Sequence, residues 1–296
     1  MAPRKAKRCA VEIRVSHLRR SAEISFSPQS LQPALIRRSN PLDGNWPATN
    51  NHRCPRFWHH PHTGQFNVIN ISNFSKAYED SIAVSNLTFN VQPGQVLGLV
   101  GRNGAGKTST IKSIAGIISV SGGKVCVDGH AIDKSPIPAK QATAYVPDDP
   151  ELFTDLTVEQ HLQFTASVYS IAQPSEHIAK LLVDFELEPK RHSPASDLSR
   201  GMRQKLAICC AYLQQPKALL LDEPMTGLDP YGIRMLKSSI VKQAKSGSAV
   251  IISSHLLAMV EDICTHILIL DQGQAKFLGT LEELKDQFAM DGSMTN

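Results

Sequence analysis

Val96-Leu97-Gly98-Leu99-Val100 runs without a break into Gly101-Arg102-Asn103-Gly104-Ala105-Gly106-Lys107-Thr108. The second stretch fits G-x-x-x-x-G-K-[ST], and Thr108-Ser109-Thr110-Ile111-Lys112-Ser113-Ile114-Ala115 follows with apolar residues at helical spacing. Strand, glycine loop and helix in that order make a phosphate cradle. The glycines let the chain curl until successive N–H groups point inward, and the helix adds its positive N-terminal end. Lys107 is placed to reach β- and γ-phosphates, and the Thr108 hydroxyl to ligate Mg²⁺. Such a cradle predicts a nucleotide-binding α/β domain, a property shared by kinases, GTPases and motors.

The cradle lies in a chain of 296 residues, 42% hydrophobic, long enough to bury a large core. No apolar run reaches the length of a membrane-spanning helix, and no apolar segment follows the basic N-terminal residues, so an unsecreted, cytoplasmic protein is expected. The six cysteines form no C-x-x-C pair and no short-chain disulfide framework. Net charge is +4, but residues 1–66 hold 11 Lys and Arg against 3 Asp and Glu, whereas the rest holds 20 against 24. The basic stretch also carries 7 of the 18 prolines and no sustained period of 2 or 3.6, which predicts a mostly disordered extension over 1–66. Cys54, His59, His60 and His62 within it match no standard zinc spacing.

Residues 67–296 read as one folded domain. Short apolar strands are predicted at Val68–Ile71, Ile82–Val84, Leu87–Val91, Lys124–Val127 and Ala142–Val146. The pattern then turns helical. Thr157–Tyr169 begins with Thr157-Val158-Glu159-Gln160, which has the form of a capping box, and Ser175–Phe185 repeats the helical spacing, so residues from about 150 to 215 make an inserted helical lobe. Ala218–Leu221 and Ala249–Ile252 are continuous apolar runs, as parallel strands buried on both faces require. Ile267–Leu270 and Ala275–Leu278 flank the hairpin signal Asp271-Gln272-Gly273-Gln274, and Leu281–Phe288 closes the chain as an amphipathic helix.

Two adjacent acids, Asp222 and Glu223, stand at the carboxyl end of the strand Ala218–Leu221, where open α/β sheets bind their ligands. Asp222 is suited to hold Mg²⁺ and Glu223 to deprotonate a water attacking the γ-phosphate. Upstream, Leu198-Ser199-Arg200-Gly201-Met202-Arg203-Gln204 opens an apolar helix predicted over Lys205–Leu213. Cradle, signature segment and acid pair together resemble the ATP-binding cassette (ABC) ATPases, whose signature is usually Leu-Ser-Gly-Gly-Gln. The resemblance covers residues 68–296 and implies the P-loop NTPase ABC fold: a mostly parallel core sheet, an antiparallel β portion and an inserted helical subdomain.

It also implies roles. ATP and Mg²⁺ are sandwiched between two such subunits head to tail, a homo- or heterodimer, with Gly101, Arg102, Asn103, Gly104, Ala105, Gly106, Lys107, Thr108 and Ser109 around the phosphates. Ser199, Gly201 and Met202 address the γ-phosphate held by the second subunit. Met225-Thr226-Gly227-Leu228-Asp229-Pro230 crosses the dimer seam, His255 in Ser253-Ser254-His255 is the switch histidine, and Tyr78 stacks on adenine. Three positions, in two motifs, depart from the pattern. Asp148 stands where the family usually has Gln, retaining a ligand for Mg²⁺ but losing a hydrogen-bond donor. Arg200 and Met202 replace Gly and Gln, a variant resembling bacterial ABC-2 and drug-exporter ATPases. The implied function is a peripheral ATPase on the inner face of the cell membrane that powers export through a separate transmembrane permease. The alternative, a soluble ABC ATPase acting on nucleic acid or the ribosome, draws only on the basic extension, so nucleic acid is not the expected partner.

Overall fold

The computed structural model describes residues 67–79 and 81–290, with side chains to residue 287. The predicted disordered extension, with its two cysteines and its histidines, lies outside the described residues.

An antiparallel sheet precedes the cradle. Strand β1 (Ile69–Tyr78) pairs with β2 (Ser81–Val91) and with β4 (Gly122–Val127), and β5 (His130–Ala131) adds to β4, giving the order β2-β1-β4-β5. The two strands expected at Ile82–Val84 and Leu87–Val91 are one strand carrying a bulge. Asn86 takes φ 52°, its N–H donates to Ser75 Oγ at 2.9 Å, and Ser85 N donates to Gly273 O at 2.8 Å. With both freed donors satisfied, the strand continues where its polar pair reads as a turn.

The second sheet carries the site. Strands β3 (Val96–Val100), β6 (Thr143–Val146), β7 (Ala218–Leu221), β8 (Ala249–Ser254), β9 (His266–Asp271) and β10 (Gln274–Gly279) assemble as β10-β9-β3-β8-β7-β6. Four of its neighbour pairs are parallel and β9–β10 is antiparallel, the mostly parallel sheet that the sequence implies. Side-chain alternation splits each central strand between two cores. Val96, Val100, Leu219, Leu221, Val250 and Ile252 join one. Leu97, Leu99, Ala218, Leu220, Ala249 and Ile251 join the other, with the antiparallel sheet and the cradle helix α1 (Lys107–Ile114). Two apolar faces on one strand explain the unbroken runs in the sequence.

Between β5 and β6 lies the short α2 (Pro136–Gln141). Helices α3 (Val158–Val168), α4 (Ser175–Asp184) and α5 (Arg200–Leu213) fill the interval from β6 to β7. The capping box forms: Thr157 Oγ1 accepts from Gln160 N at 3.2 Å, and Gln160 Oε1 accepts from Thr157 N at 2.9 Å. Helix α5 begins at Arg200, earlier than the predicted Lys205, because Ser199 caps it and accepts from Met202 N at 3.3 Å. Helix α6 (Pro230–Lys245) joins β7 to β8, and α7 (Leu281–Met290) follows β10. Among the described residues no helix is long and apolar enough to cross a membrane.

Cys209 and Cys210 on α5 and Cys264 before β9 are free thiols. Burial pushes Cys210 up to about 11 and Cys264 up to about 12, and holds Cys209 well above the ordinary thiol range. All three are therefore neutral at pH 8, and thiolate is the reactive form. Peptide mapping after iodoacetamide should find Cys209 unmodified in the folded protein and alkylated in denaturant; its labelling without denaturant would contradict its buried placement.

Candidate active site

Residues 101–106 leave β3 at the carboxyl end of the parallel strands and turn directly into α1. Gly101 N donates to Ser254 O at 3.3 Å, and Gly273 N donates to Ala105 O at 3.1 Å, so the loop is tied to β8 and to the β9–β10 turn. A side chain at Gly101 would strike the carbonyl of Leu270, and a Cβ at Gly106 would stand 2.6 Å from Ala83 O at φ 104°. Gly106 caps α1 without a side-chain bond, which leaves the first-turn N–H groups directed at the loop. Lys107 is buried. Its ammonium donates to Gly101 O at 2.7 Å and Arg102 O at 3.3 Å, and lies 3.5 Å from Glu223 Oε1. Thr108 is exposed at the mouth of the loop.

The ends of β7 and β8 supply the acids and the histidine. Asp222 is 3% exposed, and its Oδ1 accepts from Ser253 Oγ at 2.6 Å. The same hydroxyl oxygen accepts from Glu223 N at 2.8 Å, so one serine fixes both acids. Glu223 takes φ 46°, a left-handed conformation that turns its carboxylate away from the strand direction. That carboxylate lies between the Lys107 ammonium and the His255 ring: Lys107 reaches Oε1, and His255 Nδ1 lies 3.0 Å from Oε2. Glu223, Met225, Thr226, Ser254 and His255 line a cavity of about 200 Å³ beside it. On the cradle side of β6 the Tyr145 hydroxyl is buried without a partner, and burial, then Asp222, then Asp148 hold its phenol well above the ordinary range. The Thr108 hydroxyl and the Asp222 carboxylate are hard oxygen donors. They suit Mg²⁺, which takes one or two protein oxygens and fills its remaining positions with water and phosphate.

Ser253 is the residue that sequence reasoning passes over, although it stands two places before His255. Ser253→Ala leaves buried Asp222 and the Glu223 N–H without their shared partner, at a cost of about 1–3 kcal/mol. Urea unfolding should register that loss; an unchanged midpoint would show that the hydroxyl is dispensable.

The signature residues form a second cluster. None of the hydrogen bonds or ion pairs made by Ser199, Gly201 and Met202 reaches residues 101–109. Instead the start of α5 leans on the loop after β7: a Cβ at Gly201 would lie 3.1 Å from Gly227 O. Arg200 Nη2 donates to Asp148 Oδ1 at 3.2 Å, so the carboxylate considered for Mg²⁺ is engaged by a guanidinium. Tyr78, 46% exposed, places its hydroxyl 3.2 Å from Ser109 Oγ, with the Lys76 ammonium 4.8 Å from its ring centre. An aromatic face thus stands beside the cradle helix.

The chain is similar to known ABC transporter proteins. A family model described as ABC transporter matches residues 84–226. The ABC-type transporter ATP-binding protein EcsA of Bacillus subtilis is 33% identical over 225 residues, which span 75% of this chain and 91% of that protein. Nod factor export ATP-binding protein I of Cupriavidus metallidurans is 32% identical, over 74% of this chain and 73% of that protein. A solved structure of an ATP-binding subunit of an ABC transporter superposes with a TM-score of 0.72 at 33% identity, covering 76% of this chain and 95% of the other.

Proposed function

The chain belongs to the ABC transporter family as an ATP-binding subunit, and from that premise we propose a residue-level account of how it uses ATP. Lys107 and the N–H groups of residues 101–109 bind the phosphates, the ammonium exchanging its loop carbonyls for phosphate oxygens. Thr108 and Asp222 hold Mg²⁺, whose charge offsets that of the phosphates. Glu223 accepts the proton of the attacking water, and His255 steadies that water and the γ-phosphate. Tyr78 offers its ring to the adenine. The observation that carries this reading is Glu223, partly buried at 19% exposure and held from one side by Lys107 and from the other by His255.

Ser199, Gly201 and Met202 make no hydrogen bond or ion pair with residues 101–109, which supports a site completed by a second subunit in a head-to-tail dimer. The membrane-spanning permease is a separate chain. A groove of about 240 Å³ lined by Pro147, Pro150, Phe153 and Phe164 offers it a docking face, with Phe153 59% and Phe164 49% exposed. Exposed aromatic pairs of this kind mark association surfaces. Export is the direction favoured by the Ser-Arg-Gly-Met form of the signature.

Composite sites are tested by mixing two inactive variants. Lys107→Ala lacks the cradle cation and Ser199→Phe blocks the opposite face, yet their heterodimer holds one intact site. ATP hydrolysis should be near background for each variant alone and recover to a substantial fraction of wild type on mixing. No recovery at any ratio would overturn the shared site.

A further inference from the structure

Two of the three positions at which this chain departs from the family pattern touch each other. Arg200 and Asp148 are both half-exposed, 3.2 Å apart, and neither glycine nor glutamine at these places can form an ion pair. We infer that Asp148 and Arg200 act as one positioning unit that sets the signature loop, Ser199 and Gly201, against the end of β6, in place of a role for Asp148 as Mg²⁺ ligand.

Three contacts carry this. Arg200 and Gln204 stand one turn apart on the same face of α5, and both reach the same short segment: Gln204 Nε2 donates to Pro147 O at 3.3 Å. Gln204 is 1% exposed and its Oε1 has no partner, so beside the core that Val146 and Leu206 share, the joint between α5 and the β6 end includes an incompletely satisfied polar contact. The Arg200 stem, moreover, lies over the loop after β7; a Cβ at Gly227 would meet its Cδ at 3.1 Å and its Nε at 3.4 Å. The guanidinium is thereby aimed before it meets the carboxylate, which lowers the entropy lost on pairing. Pro147 also lines the aromatic groove assigned above to the permease. Displacement of that segment pulls on Asp148, and through Arg200 on the two flanking residues that face the second subunit. The pair is a route from groove to signature loop within one chain.

The inference rests on the head-to-tail reading for its principal readout. Full-length Glu223→Gln protein serves as the reference for ATP-dependent dimerisation, measured by sedimentation at about 50 and 300 mM salt, a range over which screening of exposed charges rises steeply. Into it go Asp148→Asn, Arg200→Gln, their combination, and the swap Asp148→Arg with Arg200→Asp. Each single change should weaken dimerisation about 2- to 5-fold at low salt, as expected for an exposed ion pair. The combination should be no worse than either, and the swap should recover. The Mg²⁺ requirement for fluorescent ATP-analogue binding by the monomer should not move, which also verifies that each variant is folded. A tenfold rise in that requirement for Asp148→Asn but not for Arg200→Gln would restore Asp148 to the metal and overturn the inference. Additive single effects without recovery by the swap would overturn it equally. If the reference itself fails to dimerise, the head-to-tail reading falls, and the pair is judged from the same cycle of variants on hydrolysis rates with Glu223 intact.

Discussion

Glu223→Gln should bind ATP with near-native affinity and hydrolyse it about 10²- to 10⁴-fold more slowly, the usual contribution of a positioned proton acceptor. The exchange keeps the shape of the side chain and its contact with His255, and it leaves the Ser253 bond to the backbone N–H in place. What disappears is the charge, and with it both the proton acceptor and the 3.5 Å attraction to Lys107. Asp222 is no substitute, since it is buried and tied to Ser253. Steady-state phosphate release and equilibrium binding of a fluorescent ATP analogue separate the two effects. Turnover within about tenfold of wild type would remove Glu223 from its assigned role.

Gly106→Ala carries the second large effect, and Gly104→Ala is its control. Both glycines have positive φ, 104° and 81°, so alanine pays about 1–2 kcal/mol at either place. Only at Gly106 does the new methyl also meet backbone, Ala83 O at 2.6 Å, with Val84 Cγ2 at 2.9 Å; nothing lies within 4 Å of the Gly104 position. Adding the ~1–3 kcal/mol of overpacking brings Gly106→Ala to about 2–5 kcal/mol. Denaturation midpoints should rank the two variants in that order, and Gly106→Ala should also lose ATP binding because its strain falls on the N-cap of α1. Equal midpoints would mean that β2 can move aside.

The parts of this molecule legible in its sequence are those where one local rule decides. The cradle, the continuous runs of β7 and β8, the capping box at Thr157 and the β9–β10 hairpin each depend on a few neighbouring residues, and each forms. Helix α6 has signals as plain, with Asp229 capping, Pro230 at the first position and Leu236, Ile240 and Ala244 buried on one face, yet it lies in the shadow of the Asp222-Glu223 motif. The bulge in β2 was not readable, because Ser85 and Asn86 look like a turn until Gly273 and Ser75 arrive to satisfy them. The site divides similarly. Residue types point to Lys107, Asp222, Glu223 and His255 as candidates, whereas the contacts of Ser253 and of the Asp148–Arg200 pair depend on which strand ends and helix starts become neighbours.

Three consecutive residues, the last two of β8 and the one that follows them, each hold a different part of the site: Ser253 anchors Asp222, the carbonyl of Ser254 receives Gly101 N, and the ring of His255 meets Glu223. A slip of β8 by one residue would reverse every side chain on it and withdraw all three supports together. Misthreaded molecules thus cannot retain a fraction of the activity. Hydrolysis in a refolding mixture counts correctly assembled chains, and the catalytic centre serves as the molecule's own test of its threading.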